Sequence, residues 1–287
     1  MRQPGPNSKS TLRRRISRAL LICAVIYLLA CAFCAIYQRR LLYFPQVFTR
    51  EQVDESAKGE GLERWLSPSG IPVGWKRLSP KQPAQGRILI MHGNAGDAFQ
   101  CGHYADAIQQ AAALDVFVVE YPGYADRPGA PTERTLDDSA EEAVRLLAAQ
   151  GPVYLLGESL GTGVAAYLAG RFPDKVAGVV LLAPYNRLAD VAQAHMPWLP
   201  ARLLLLDRFP AQEYLRPYHG PMAIAVAGRD TVVPQKFGRR LYANYAGPKK
   251  LWEFPEGDHG TVMIQPPEFW EQIITFWHTG AGSPSRD

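Results

Sequence analysis

The chain has 287 residues, 47% hydrophobic and 20% charged, enough apolar side chain for one substantial folded domain with an appendage and too much for a disordered chain. It carries 31 basic and 27 acidic residues, but eight of the basic ones (Arg2, Lys9, Arg13, Arg14, Arg15, Arg18, Arg39 and Arg40) fall in an acid-free stretch of the first forty. Removing those eight leaves 23 basic against 27 acidic residues, or −4, from residue 41 onward, so the basic balance lends no support to nucleic-acid binding.

Residues 1–18 form a basic tail. Residues 19–37 are uncharged and mostly apolar. As a helix they would span about 28 Å at ~1.5 Å per residue, close to the ~30 Å hydrocarbon core of a bilayer. The heavier arginine cluster precedes the run, which predicts a cytoplasmic N-terminus and a domain on the far side, in the periplasm if the cell is bacterial. Two other readings compete. Ala30-Cys31-Ala32 resembles a signal-peptidase site, and Leu28-Leu29-Ala30-Cys31 resembles a lipoprotein box. Continuation of the run through Phe33 to Tyr37 and on to Arg39-Arg40 favours an uncleaved anchor. Cys23, Cys31 and Cys34 lie in the run, and Cys101 alone lies in the main domain, which excludes a disulfide within that domain.

Residues 38–63 are expected to be a connector with a first edge element. Segments 64–67 and 71–78 flank Pro68-Ser69-Gly70 and predict a hairpin. Strands are then predicted at 87–91, 116–120, 153–156, 176–182, 222–227 and 249–254. Helices are predicted between and after them at 100–113, 133–150, 160–172, 234–245 and 267–278. The strands are runs of Val, Ile and Leu without alternation, as in a sheet buried on both faces. Alternation of strand and helix predicts an α/β fold with a mostly parallel central sheet. Residues 186–221 break the rhythm with Pro197, Pro200, Pro210 and Pro217, and predict a small helical insertion over the site. The main domain is expected to run from 64 to 279, with a flexible tail at 280–287.

The strand at 153–156 leads into Gly157-Glu158-Ser159-Leu160-Gly161 and then a helix. Gly-x-Ser-x-Gly on a strand–turn–helix thrusts a serine hydroxyl above the strand ends, where a base can reach it. Ser159 is therefore the candidate nucleophile. A serine attacks poorly without a base, and His259 follows the last predicted strand. Asp230 follows the strand before, placed to orient the imidazole. The alternative for Asp230 is a helix-capping role ahead of Thr231-Val232-Val233-Pro234. Asp258 is the nearest rival acid. His92-Gly93-Asn94-Ala95-Gly96-Asp97 follows the first parallel strand, and a tetrahedral intermediate needs N–H donors there. The backbone amides of Asn94 and Leu160 are the expected pair, with Ala95 as substitute and His92 as a brace. Arg127 is a candidate for holding an anionic substrate group, against the alternative of an ordinary loop arginine. Trp198, Leu199 and residues 203–206 are candidates for lining an acyl pocket, against simple packing of the insertion. The other histidines make no metal spacing and no phosphate-cradling glycine loop is present, so neither a metal nor a nucleotide cofactor is expected.

These motifs, with Tyr43-Phe44-Pro45, Asp207-Arg208-Phe209 and Gly228-Arg229-Asp230 before Val233-Pro234, resemble the Bem46-like group of α/β-hydrolase-fold serine hydrolases. The resemblance implies an N-terminally anchored hydrolase acting on an ester or thioester, with a small-molecule or lipid-like acyl substrate. Lysophospholipid lipases and protein depalmitoylases occur in that group. Two departures stand out. Ala125 and Arg127 replace expected residues of the loop Gly123-Tyr124-Ala125-Asp126-Arg127-Pro128-Gly129, and Asp97 stands where Asn is common. A peptidase with the same three residues and a silent binding module on the same fold are the rival readings.

Overall fold

A computed structural model of the chain describes residues 8–280. The first seven residues of the basic tail and residues 281–287 of the expected C-terminal tail lie outside the described residues. Helix α1 spans Ser8–Leu42, five residues past the expected end at 37. Gln38, Arg39, Arg40, Leu41 and Leu42 are all good helix formers, so the arginine pair that closes the apolar run does not close the helix. The expected connector holds a second helix, α2 (Arg50–Gly59), started by a capping box between Thr49 and Gln52. It buries Val53 and Ala57 against the domain.

Strands β1 (Glu63–Leu66) and β2 (Pro72–Arg77) make the predicted hairpin. There follow β3 (Gly86–Met91), α3 (Gly102–Ala111), β4 (Leu114–Val119), α4 (Glu133–Ala148), β5 (Val153–Glu158), α5 (Gly161–Arg171) and β6 (Val176–Leu182). The helix expected over 100–113 is divided: a short 3₁₀ turn at Ala98–Gln100 gives way at Cys101 to α3. The insertion carries α6 (Leu188–His195), α7 (Ala201–Leu204) and α8 (Ala211–Tyr214), short because the prolines interrupt the helical pattern. The chain ends with β7 (Met222–Ala227), α9 (Gln235–Asn244), β8 (Lys249–Phe254) and α10 (Pro267–Gly280).

The eight strands form one sheet in the order β1-β2-β4-β3-β5-β6-β7-β8. The β1–β2 and β2–β4 pairs are antiparallel and all others are parallel. Alternate residues of each strand feed separate cores on the two faces. Leu89 and Met91 join Leu136, Val164 and Phe209 on one face; Ile88 and Ile90 join Ala105, Ile108 and Trp270 on the other. Double-sided burial explains the unbroken apolar runs. Strand order reverses at β3, with β4 on one side and β5 on the other. Successive connections therefore leave the sheet in opposite directions, and the crevice at the carboxyl ends of these strands is where an open α/β sheet binds ligands.

Candidate active site

Three loops at the carboxyl ends of β5, β7 and β8 bring Ser159, Asp230 and His259 together. Ser159 sits on a sharp elbow with φ of +49°, a left-handed conformation that costs a non-glycine residue roughly 1–2 kcal/mol. The flanking glycines make that turn possible. A Cβ on Gly157 would lie 2.7 Å from the carbonyl oxygen of Gly161, and one on Gly161 would lie 2.1 Å from that of Met91. The elbow is thus pressed against the end of β3, which sets the His92–Asp97 loop beside it.

The His259 ring spans the other two residues. Nδ1 donates to Asp230 Oδ2 at 2.7 Å, because a carboxylate only accepts. That leaves Nε2 with its lone pair 3.0 Å from Ser159 Oγ. The second carboxylate oxygen of Asp230 accepts from the backbone amides of Val232 (2.8 Å) and Val233 (2.7 Å). Asp230 therefore orients the ring and caps the following turn at once, joining the two roles that the sequence opposed. Asp258 is occupied elsewhere: its Oδ1 accepts from the backbone amide of Thr261 at 2.8 Å and from its hydroxyl at 2.5 Å. Those bonds, the hydroxyl's above all, hold its carboxyl below the ordinary range.

Asn94 and Leu160 both border the cavity beside Ser159. Among the described residues neither backbone N–H donates to a protein acceptor, so both remain available as donors. The Asn94 loop is tightly fastened. Its carbonyl accepts from Tyr124 Oη at 2.7 Å and from the Phe44 amide at 3.1 Å, and its side chain donates to the Leu42 carbonyl at 2.8 Å. His92 is fully buried as the brace. Its Nδ1 donates to the Gly93 carbonyl at 2.8 Å, its Nε2 lies 3.4 Å from Glu120, and its ring packs on Tyr121. Burial opposes protonation of His92, but the bond and charge of Glu120 outweigh it and raise the pKa.

Asp97, beneath this loop, is 1% exposed, and neither carboxylate oxygen has a hydrogen-bond partner among the described residues. Burial first, then the charge of Glu120, raises its pKa from 3.8 to about 6. Its ionised form is thus disfavoured in the fold, and the stability it leaves in place below the unfolded pKa is lost as pH rises to the folded one. The shift corresponds to about 3 kcal/mol at most. Asp97→Asn is expected to raise the urea midpoint near pH 8 and to leave it unchanged near pH 4. A midpoint gain of equal size at both pH values would show that the charge is not the cause.

Two expectations are corrected. Arg127 turns away from the cavity: its guanidinium donates to the carbonyls of Glu120 and Val73 and lies 4.0 Å from Glu142. It fastens the loop after β4 to β2, and burial lowers its pKa. Trp198 is 55% exposed and outside the cavity lining, whereas its neighbour Leu199 is buried and does line it.

The cavity over Ser159 has a volume of about 440 Å³, within the ~300–1,000 Å³ usual for small-molecule sites. Leu188, Val191, Met196 and Leu199 of the insertion form much of its wall. Among the described residues no Asp or Glu lines it. Cys34, Gln38, Leu41 and Leu42 of α1 also line it, as do Tyr185 and His195. Sequence reasoning missed these. The signal for the α1 residues was the resumption of Leu41-Leu42-Tyr43 after the arginine pair, at helical spacing from Cys34 and Gln38.

A Gly-x-Ser-x-Gly elbow at the end of β5, a following acid and histidine, and this sheet order are those of the α/β-hydrolase fold. The chain belongs to the alpha/beta hydrolase fold family, whose pattern it matches over residues 86–213, and a relative sharing a third of its residues is similar over nearly its full length. That relative is uncharacterized protein Rv2307c of Mycobacterium tuberculosis, 34% identical over 86% of this chain and 92% of its own. Lysophosphatidylserine lipase ABHD12 of Danio rerio is 31% identical over 63% of this chain and 55% of its own length. Among solved structures, the Pyrococcus furiosus esterase Pf2001 superposes with a TM-score of 0.63 over 84% of this chain and all of its own, at 14% identity. A monoacylglycerol lipase of Paleococcus ferrophilus superposes with a TM-score of 0.55 over 76% of this chain and 99% of its own, at 18% identity. At these identities the structural likeness concerns the fold alone.

Proposed function

We propose that this chain is a membrane-anchored serine hydrolase of the Bem46-like group that cleaves a carboxylic ester or thioester with an apolar acyl chain. The observation that carries the reading is the hydrogen-bonded line Asp230–His259–Ser159, at 2.7 and 3.0 Å, ending in an apolar cavity. His259 Nε2 takes the proton of Ser159 as Oγ bonds to the acyl carbon. The N–H groups of Asn94 and Leu160 hold the oxyanion. His259 then gives the proton to the departing alcohol or thiol as its bond to the acyl carbon breaks. In the second half, His259 takes a proton from water, whose oxygen bonds to the acyl carbon, and the freed acid leaves Ser159 reprotonated.

The arginine cluster in the first part of α1, Arg13, Arg14, Arg15 and Arg18, precedes the uncharged run and supports a cytoplasmic N-terminus with the hydrolase domain beyond the membrane. Similarity to a lysophosphatidylserine lipase supports a lipid-like substrate. A peptidase that trims N-termini needs a carboxylate to hold the substrate's ammonium, and none lines the cavity. The test compares p-nitrophenyl esters of rising chain length with aminoacyl anilides on the full-length protein. Ester turnover with a long-chain optimum supports the reading, and preferential cleavage of the anilides would overturn it.

A further inference from the structure

Helix α1 contributes more than attachment. It has 35 residues, or about 52 Å at ~1.5 Å per residue, and outlasts a ~30 Å hydrocarbon core by about 20 Å. The surplus lies at both ends, and it is the C-terminal end, from Cys31 to Leu42, that docks onto the hydrolase domain. Cys31, Cys34, Ala35, Gln38 and Leu42 are half-buried while Ile36, Tyr37, Arg40 and Leu41 are exposed, the spacing of a single helical face. The contacts are specific. Gln38 donates to the Leu204 carbonyl at 3.2 Å and accepts from the Leu206 amide at 2.6 Å. Arg39 makes a forked pair with the buried Asp207, at 3.0 and 3.4 Å. The last carbonyl of the helix, that of Leu42, accepts from the side chain of Asn94, and the amide of Phe44 donates back to the Asn94 carbonyl. The same helix end therefore walls the cavity with Cys34, Gln38, Leu41 and Leu42 and fixes the Asn94 loop that borders the same cavity as Ser159.

Charge places this wall against the bilayer. The uncharged run is bounded by Arg18 and Arg39. With Arg39 at the plane where the helix leaves the hydrocarbon, Cys34 lies about 7 Å inside that plane and Leu42 about 5 Å outside it. The cavity wall crosses the plane. The insertion segments that share the cavity also present Trp198, Leu203 and Leu206 to the outside, between 55% and 78% exposed. Tryptophan and leucine exposed beside a hydrocarbon boundary suit a lipid interface, not bulk water.

From this geometry, and resting on the serine-hydrolase reading above, we infer that the substrate is an acyl ester or thioester resident in the leaflet that α1 leaves, and that α1 itself is one wall of the acyl-binding site. The acyl chain slides from the leaflet along Cys34, Leu41 and Leu42 into the cavity and reaches Ser159 without crossing water. Removal from lipid then costs little, because one apolar surround replaces another.

The experiment uses the full-length protein in phosphatidylcholine nanodiscs and a dodecyl fluorophosphonate with a diazirine at the chain end. Phosphonylation of Ser159 reports the hydrolase chemistry, and photocrosslinking then reports where the chain lies. Crosslinks in residues 34–42 are expected. Phosphonylation of Ser159 with crosslinks confined to the insertion would overturn this inference and leave the hydrolase reading standing, whereas absence of phosphonylation would overturn both. In a second measurement, Leu41→Trp is expected to lower the ratio of kcat/KM for dodecanoyl over butanoyl p-nitrophenyl ester by about tenfold or more. An unchanged ratio in a variant that still reacts with the probe also counts against the inference.

Discussion

Ser159→Ala is expected to remove turnover and fluorophosphonate labelling together, lowering kcat by about 10⁵–10⁶-fold. In the proposed mechanism Oγ is the atom that forms the covalent bond, and neither neighbouring side chain is free to replace it: Glu158 faces the hydroxyl of Tyr104 at 2.8 Å and Thr162 is tied to the Ser159 carbonyl at 2.6 Å. Residual activity near a hundredth of wild type would mean that Ser159 is not the attacking group. The same position yields a second readout. At φ of +49° a side chain is strained, and glycine is not. Ser159→Gly is therefore expected to be as inactive as the alanine variant but about 1 kcal/mol more stable in urea. Stability equal to that of the alanine variant would show that the elbow stores no strain. A serine held in an unfavourable conformation exchanges stability for exposure of its hydroxyl, and the difference between the two variants measures that exchange.

Fold and site were legible in the sequence to different depths. Strands at 153–156, 176–182 and 222–227 could be read because burial on both faces leaves unbroken apolar runs. Ser159, Asp230 and His259 could be read as a group because each follows a strand, so their side chains meet wherever the sheet brings the strand ends together. The direction of Arg127 was not legible, because a loop arginine near carbonyls and one near a substrate have the same local sequence. Its outcome depends on Val73, 54 positions earlier. The α1 wall was hidden for the same reason on a larger scale. Gln38 meets Leu204 across 166 residues, and a helix face that docks on protein is hard to tell from one that faces lipid when both are apolar. Residues that act through position along the sheet were thus readable, while residues that act through which way they face were not.

Asp230→Asn is expected to lower kcat by about 10⁴-fold with little change in fold. The argument turns on donors. Asp230 Oδ1 already accepts from two backbone amides, those of Val232 and Val233, at 2.8 and 2.7 Å. An asparagine must keep its carbonyl oxygen there, since turning its amide toward them would set donor against donor. Its NH₂ then faces His259 Nδ1, which becomes an acceptor. The ring proton moves to Nε2 and points at Ser159, so the nitrogen that should take the hydroxyl proton carries one instead. Geometry is preserved and the base is lost. Asp230→Ala differs, because it also strips the two amides of their partner, and at the buried Val233 an unsatisfied group costs roughly 1–3 kcal/mol. The asparagine variant should therefore lose activity at near-wild-type Tm, while the alanine variant loses both. Measuring kcat alongside thermal unfolding for the two substitutions separates orientation of the imidazole from capping of the turn. An active asparagine variant would mean that His259 draws its orientation from some group other than Asp230.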